Sequence, residues 1–141
     1  MDKVWDLYFD GSSFDKGRRG GPGPSAGAAV LVDSDGLHAP TIMTVFLPRS
    51  DSDSAEYQGL ICGLEGALAA GISRIAIRGD SRNVIDHLTG RKAVRKASLV
   101  LLNEIAKTRL AEFDEWAIEW IPRAQNGRAD KAARMCIERA S

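Results

Sequence analysis

Two cysteines, Cys62 and Cys136, and two histidines, His38 and His87, are all the thiol and imidazole ligands that the 141 residues contain. So few exclude a disulfide framework and a zinc site of Cys and His, and leave buried or bystander thiols as the better reading. No run approaches the roughly 20 apolar residues that span a bilayer. The opening MDKVWDLYFDG lacks the basic start and apolar stretch of a secretory signal, so the expected setting is the cytoplasm. Net charge is missing too, because nineteen Lys and Arg balance nineteen Asp and Glu. Overall positive charge cannot then draw the chain to a polyanion, and any such contact must come from local patches. Arg91, Lys92, Arg95 and Lys96 form one candidate between two helical segments, and Lys16, Arg18 and Arg19 form another in a Gly-rich loop. Both can also be read as solvated loop charges. With 44% hydrophobic and 27% charged residues, the remainder is an ordinary globular mixture, read as one domain over residues 1–141.

The hydrophobic pattern changes period near residue 54. Before it, Val4 to Asp10 alternates, with Trp5, Leu7 and Phe9 on one side. A Gly/Pro stretch from Gly11 to Pro24 predicts a loop. Ala26 to Asp33 and Thr41 to Leu47 read as two further strands joined by a turn at Ser34-Asp35-Gly36. After it, Tyr57, Leu60, Ile61, Leu64 and Leu68 recur at helical spacing, with Gly71 as a stop. Arg74 to Arg78 reads as a strand, Ser81 to Leu88 and Leu99 to Leu110 as helices, Trp116 to Ile121 as a strand, and Asn126 to Arg139 as a helix. The order βββαβααβα predicts an α/β fold: antiparallel strands first, then strand–helix crossovers, and helices packed on a mixed sheet. Ligands in such sheets gather at the carboxyl ends of central strands.

Four acidic residues stand out. Glu56 follows Asp53 at capping-box spacing, Asp80 could cap the helix after it, and Asp130 could complement a helix dipole. Asp10 is harder to explain structurally, since Asp is depleted in strands and this strand is strongly apolar. A carboxylate there costs stability without a partner, and a bound cation would supply one. Converged without metal, four carboxylates would repel by about 4 kcal/mol per close pair at an effective dielectric of roughly 20. Hard oxygen ligands suit Mg²⁺, which pairs naturally with phosphate. Two such ions about 3.5–4 Å apart can hold an attacking water and a leaving oxygen in line across a phosphodiester.

Tyr8-Phe9-Asp10-Gly11-Ser12, Gly21-Pro22-Gly23-Pro24, Ala55-Glu56-Tyr57, Gly79-Asp80-Ser81 and Asn126-Gly127-Arg128-Ala129-Asp130 together resemble the ordered motifs of type 1 ribonuclease H. The resemblance runs from about residue 4 to residue 137 and is greatest to the compact archaeal and bacterial branch without a basic handle. It implies a ribonuclease H-like fold: a five-stranded mixed sheet, three strands antiparallel and then two parallel, with helices on both faces. It also implies an endonuclease that cuts the RNA strand of RNA–DNA hybrids, leaving 5′-phosphate and 3′-hydroxyl ends. Asp10 would bridge two Mg²⁺ ions (Mn²⁺ is an alternative), with Glu56 and Asp80 at one and Asp130 at the other. The matching positions put Gly11, Ser12, Ser52, Arg82 and Asn126 against substrate. Because a chain without net charge needs a local patch to hold a polyanion, Arg91, Lys92, Arg95 and Lys96 are expected along the hybrid's DNA strand, in place of the handle. The chain departs from the family at Gly21, where many members have Asn. It departs again at Asp51-Ser52-Asp53, where many have Thr-Asn-Asn. A short Pro122-Arg123-Ala124-Gln125 replaces the loop that often carries a catalytic His, so Arg123 becomes the candidate for an electrostatic role there. A monomer is expected. The alternatives are a DNA nuclease of the same fold, a silent hybrid-binding module and a protein-interaction domain.

Overall fold

The computed structural model describes residues 3–15, 18–19 and 21–140. Strand β1 (Trp5–Asp15) alternates as expected, burying Leu7 and Phe9 completely in a core with Tyr57, Leu60 and Ile77. It does not end at Gly11, and this corrects the loop predicted from the Gly/Pro content. Gly11, Ser12 and Ser13 pair with Gly27, Ala26 and Ser25 of β3 (Gly23–Val32), and the end of β1 meets a two-residue strand, β2 (Arg18–Arg19). The long antiparallel partner offers these residues the backbone hydrogen bonds that a loop would leave to water. Lys16, from the basic Gly-rich segment, lies outside the described residues. A turn closed by Gly36 N–H donating to the Asp33 carbonyl, with Gly36 at φ 71°, leads on to β4 (Thr41–Ser50).

Helix α1 (Ser52–Ala69) follows, then β5 (Arg74–Gly79), α2 (Arg82–Leu88), α3 (Ala97–Leu110), β6 (Glu115–Trp120), a 3₁₀ turn (Arg123–Gln125) and α4 (Gly127–Ala140). The five long strands lie in the order β4-β3-β1-β5-β6. β1 runs antiparallel to β3 and parallel to β5, so the sheet changes sense at its central strand. This is the five-stranded mixed sheet expected from the sequence. Side chains of α1, α2 and α3 bury against Leu7, Phe9, Ala29 and Leu31 on one face. Ala133 and Ile137 of α4 bury against Ala26 and Ala28 on the other. The alternation along β3 therefore feeds two cores.

Helix α1 lies unusually close to the sheet, and glycines allow it. A Cβ at Gly27 would fall 2.3 Å from the backbone N of Gly59, and one at Gly11 would fall 2.2 Å from the N of Glu56. Gly11 and Gly27 are register partners, so both present bare backbone to the helix at the same level of the sheet. The helix N-terminus is thereby pressed onto β1 beside Asp10.

The remaining rare side chains are structural. Cys62 and Cys136 are free. His87 is buried, its Nδ1 3.0 Å from the hydroxyl of Tyr57, which also accepts from Asn103 Nδ2 at 3.0 Å. His38 pairs with Asp33 at 2.7 Å, at the far end of β3 from Gly27. No helix among the described residues is long and apolar enough to cross a membrane.

Candidate active site

Parallel pairing of β1 with β5 sets the first two carboxylates side by side. Phe9 is level with Gly79, so Asp10 and the residue that follows β5, Asp80, are adjacent. Gly79 is needed at that level because a Cβ there would meet the Phe9 ring at 2.5 Å. The glycine-mediated approach of α1 brings in Glu56. One carboxylate oxygen from each of Asp10, Glu56 and Asp80 lies within 4.8 Å of the others. Asp130, from the first turn of α4, lines the same cleft of about 320 Å³, together with Gly11, Ser52, Trp120 and Arg123. A larger apolar groove between β4 and α4, lined by Ile42, Phe46 and Met135 among others, contains no carboxylate.

Helix capping accounts for neither Glu56 nor Asp80. The N-cap of α1 is Asp51, whose Oδ1 accepts from Ser54 N–H at 2.8 Å, so the capping box anticipated between Asp53 and Glu56 does not form. The N-cap of α2 is Ser81, accepting from Val84 N–H at 3.3 Å, which leaves Asp80 outside the cap. Asp130 does sit in a helical first turn, where Arg134 Nε contacts it at 3.2 Å and Arg123 Nη2 lies at 3.8 Å.

The electrostatics are those of carboxylates forced together. Burial raises the Asp10 pKa to about 7; the charges of Asp80 and Asp130 add to the rise, while hydrogen bonds from Glu56 and Gly11 oppose it. Burial, and then the charge of Asp10, push the Glu56 carboxyl well above the usual range. Asp80 is raised by burial as well, with a hydrogen bond from Asn126 pulling it back. Among the described residues no Lys or Arg pairs with Asp10, Glu56 or Asp80.

The donor set fits a hard divalent cation. Three of its members converge with oxygen ligands only, and Glu56 Oε2 is buried without any hydrogen-bond partner. A cation would satisfy that atom and reverse the pKa shifts of all three carboxyls.

The other residues singled out from the sequence are less uniformly placed. Gly11, Ser52 and Arg123 line the cleft. Ser12 is buried, and Asn126 is only 1% exposed, which withdraws both side chains from direct contact with a large substrate. Arg82 lies with its guanidinium carbon 3.8 Å from the Trp120 ring centroid, at the cleft rim. Lys96 Nζ pairs with Asp51 Oδ2 at 2.7 Å, and Lys92 Nζ donates to Asn83 Oδ1 at 3.0 Å, while Asn83 contacts Asp53. The loop carrying Arg91, Lys92, Arg95 and Lys96 therefore leans over the start of α1 next to the cleft, and all four are exposed.

Trp120 is a site residue that the sequence reading missed. It lines the cleft and donates its indole N–H to the Asp80 carbonyl at 3.1 Å. Arg134 was missed too, although its i,i+4 spacing from Asp130 is a local signal that could have found it.

A family model described as reverse transcriptase-like matches residues 10–136. The chain is 40% identical over 134 residues to the ribonuclease HI of Halobacterium salinarum NRC-1, covering 94% of this chain and 64% of that protein. A crystal structure of RNase H1 from the same archaeon superposes with a TM-score of 0.85 at 36% identity, covering 96% of this chain and 98% of that one. The N-terminal RNase H domain of Rv2228c from Mycobacterium tuberculosis superposes equally well, with a TM-score of 0.85 at 30% identity and coverage of 97% and 95%. The full Rv2228c protein is longer, and the chain spans 35% of it. LC11-RNase H1, isolated from compost and solved in complex with an RNA/DNA hybrid, gives a TM-score of 0.81 at 26% identity, with coverage of 96% and 98%. With its mixed sheet, its converging carboxylates and a match along nearly its whole length to solved members, the chain belongs to the type 1 ribonuclease H family.

Proposed function

We propose that the chain is an endonuclease that hydrolyses the RNA strand of RNA–DNA hybrids, leaving 5′-phosphate and 3′-hydroxyl ends. The observation that carries this reading is the trio Asp10, Glu56 and Asp80, whose oxygens lie within 4.8 Å of one another while Glu56 Oε2 is buried without a partner. Support for the substrate class comes from LC11-RNase H1, which was solved with such a hybrid. Asp10, Glu56 and Asp80 are the proposed ligands of one Mg²⁺ (or Mn²⁺), and Asp10 with Asp130 those of a second. Bound there, the cations supply positive charge to the phosphate and lower the pKa of the attacking water. Asp10 would then be the ligand common to both. Arg123 keeps its proton at any working pH, so it acts as a fixed positive charge on the phosphate and not as a proton shuttle. Gly11 and Ser52 face the cleft as contacts for RNA 2′-hydroxyls, the groups that distinguish RNA from DNA. A monomer in the cytoplasm completes the proposal.

The test is cleavage of end-labelled RNA–DNA, DNA–DNA and RNA–RNA duplexes with and without EDTA. Cutting confined to the RNA of the hybrid, and lost with EDTA, is expected. Cutting of DNA–DNA would replace this reading with that of a DNA nuclease, and a silent module would bind the hybrid uncut.

Metal should also stabilise the fold. A hundredfold excess of Mg²⁺ over its Kd adds about 2.7 kcal/mol, which for a chain of this size is a rise in Tm of roughly 5–10 °C. An unchanged Tm in millimolar Mg²⁺ would remove the support for a cation site.

Grip on the DNA strand is assigned to the α2–α3 loop. Replacing Arg91, Lys92, Arg95 and Lys96 together with Ala should raise KM and leave kcat largely intact. Each lost phosphate contact should also lower the slope of log affinity against log salt by about 1. If KM and the slope stay put, these are solvated charges and the basic segment around Arg18 takes over.

A further inference from the structure

Asn126 occupies the junction of β1, β5 and α4, and it is almost wholly buried. Its Nδ2 donates at 2.9 Å to the carbonyl of Phe9, the residue before Asp10. The same amide lies close enough to the carboxylate of Asp80 to hold its pKa down. Its backbone carbonyl accepts from the N–H of Asp130 at 3.0 Å. One residue thus reaches the strand of one carboxylate, the side chain of a second and the backbone of a third.

The other half of the amide has no such use. Oδ1 is buried without a hydrogen-bond partner. An unsatisfied buried acceptor costs stability, so a residue needed only to seat the start of α4 would be better apolar. What Asn supplies is two N–H donors on one planar group, which neither a carboxylate nor a hydroxyl can match. One donates to the carbonyl beside Asp10, and the amide lies next to the Asp80 carboxylate across the two parallel strands.

We propose that Asn126 is a positioning residue that fixes the separation of Asp10, Asp80 and Asp130 and so tunes the site for a divalent cation, without touching substrate. The kinetic part of this inference rests on the nuclease reading; the metal-binding part stands apart from it. Groups that orient metal ligands in this way typically change metal affinity or activity by about 10- to 100-fold when removed.

The experiment uses Asn126→Ala and Asn126→Ser, with Ile137→Ala, a core deletion in α4, as a control for lost stability. Three quantities are measured: Tm in EDTA, the Mg²⁺ concentration at half of the Mg²⁺-induced rise in Tm, and kcat and KM on an RNA–DNA hybrid. For both Asn126 variants the Mg²⁺ midpoint should rise and kcat should fall by about 10- to 100-fold, with KM nearly unchanged. Ile137→Ala should lower Tm while leaving the Mg²⁺ midpoint and kcat alone. Folded Asn126 variants with wild-type Mg²⁺ midpoints would overturn the proposal, and so would failure of both to fold, which would make Asn126 a folding residue. A wild type that cuts no hybrid would defeat the nuclease reading, yet the Mg²⁺ midpoints would still decide the role of Asn126.

Discussion

Asp10→Asn is expected to give a folded protein whose rate of hybrid cleavage is lower by several orders of magnitude, and which is more stable than wild type in EDTA at pH 8. Asn keeps the shape of the side chain but removes the central charge of the carboxylate trio. The stability effect follows from the Asp10 pKa, raised by burial from 3.8 to about 7. A carboxyl raised in the folded state favours folding fully below its unfolded pKa, near 4, and that contribution disappears as pH rises through about 7. Above that pH the metal-free wild type carries an unfavourable term of at most about 4 kcal/mol, shared with Glu56, and Asp10→Asn does not. The stability difference should therefore shrink steadily from pH 8 toward pH 4, and Mg²⁺ should favour the wild type selectively. Urea unfolding in EDTA across this range measures it. A difference that stays flat with pH would mean that Asp10 is not under the strain described.

The second large effect concerns the approach of α1 to the sheet. Gly27→Ala should cost about 3 kcal/mol or more, at the upper end of overpacking effects, because its Cβ would lie 2.3 Å from the backbone of Gly59. Neither strand nor helix backbone can rotate away as a side chain would. Gly11→Ala would place a Cβ 2.2 Å from the N of Glu56, so the turn that carries this carboxylate must shift. We expect this variant to lose activity and Mg²⁺-induced stabilisation even where it remains folded. Gly36→Ala is the control: it has φ 71° with nothing within 4 Å of the added Cβ. Its cost should stay near the roughly 1–2 kcal/mol of a left-handed Ala, with activity unchanged. Equal Tm losses for Gly27→Ala and Gly36→Ala would show that the helix can lift from the sheet and that the close approach is not needed.

Local pattern carried much of this protein. The alternation of Leu7 and Phe9, the helical spacing from Tyr57 to Leu64 and the stop at Gly71 each reflect one element's own periodicity, so they could be read from a single sequence. The four acidic residues were legible for a related reason, since Asp10 has no local partner to justify an acid in an apolar strand. Tertiary structure decided everything that depends on two distant segments. The continuation of β1 past Gly11 needed the β3 ladder, which overrode the local preference of glycine for turns. Trp120 reached the site because β6 pairs with β5 and sets the indole against the Asp80 carbonyl. Asn126 reads as a substrate contact from its place in the family motif; burial against Phe9 changed its role. The spacing of the carboxylates, finally, comes from register between parallel strands and from bare backbone at Gly11 and Gly27. Neither is a property of any stretch of chain by itself, because hydrogen-bond register and backbone contact exist only between segments that the fold has already brought together.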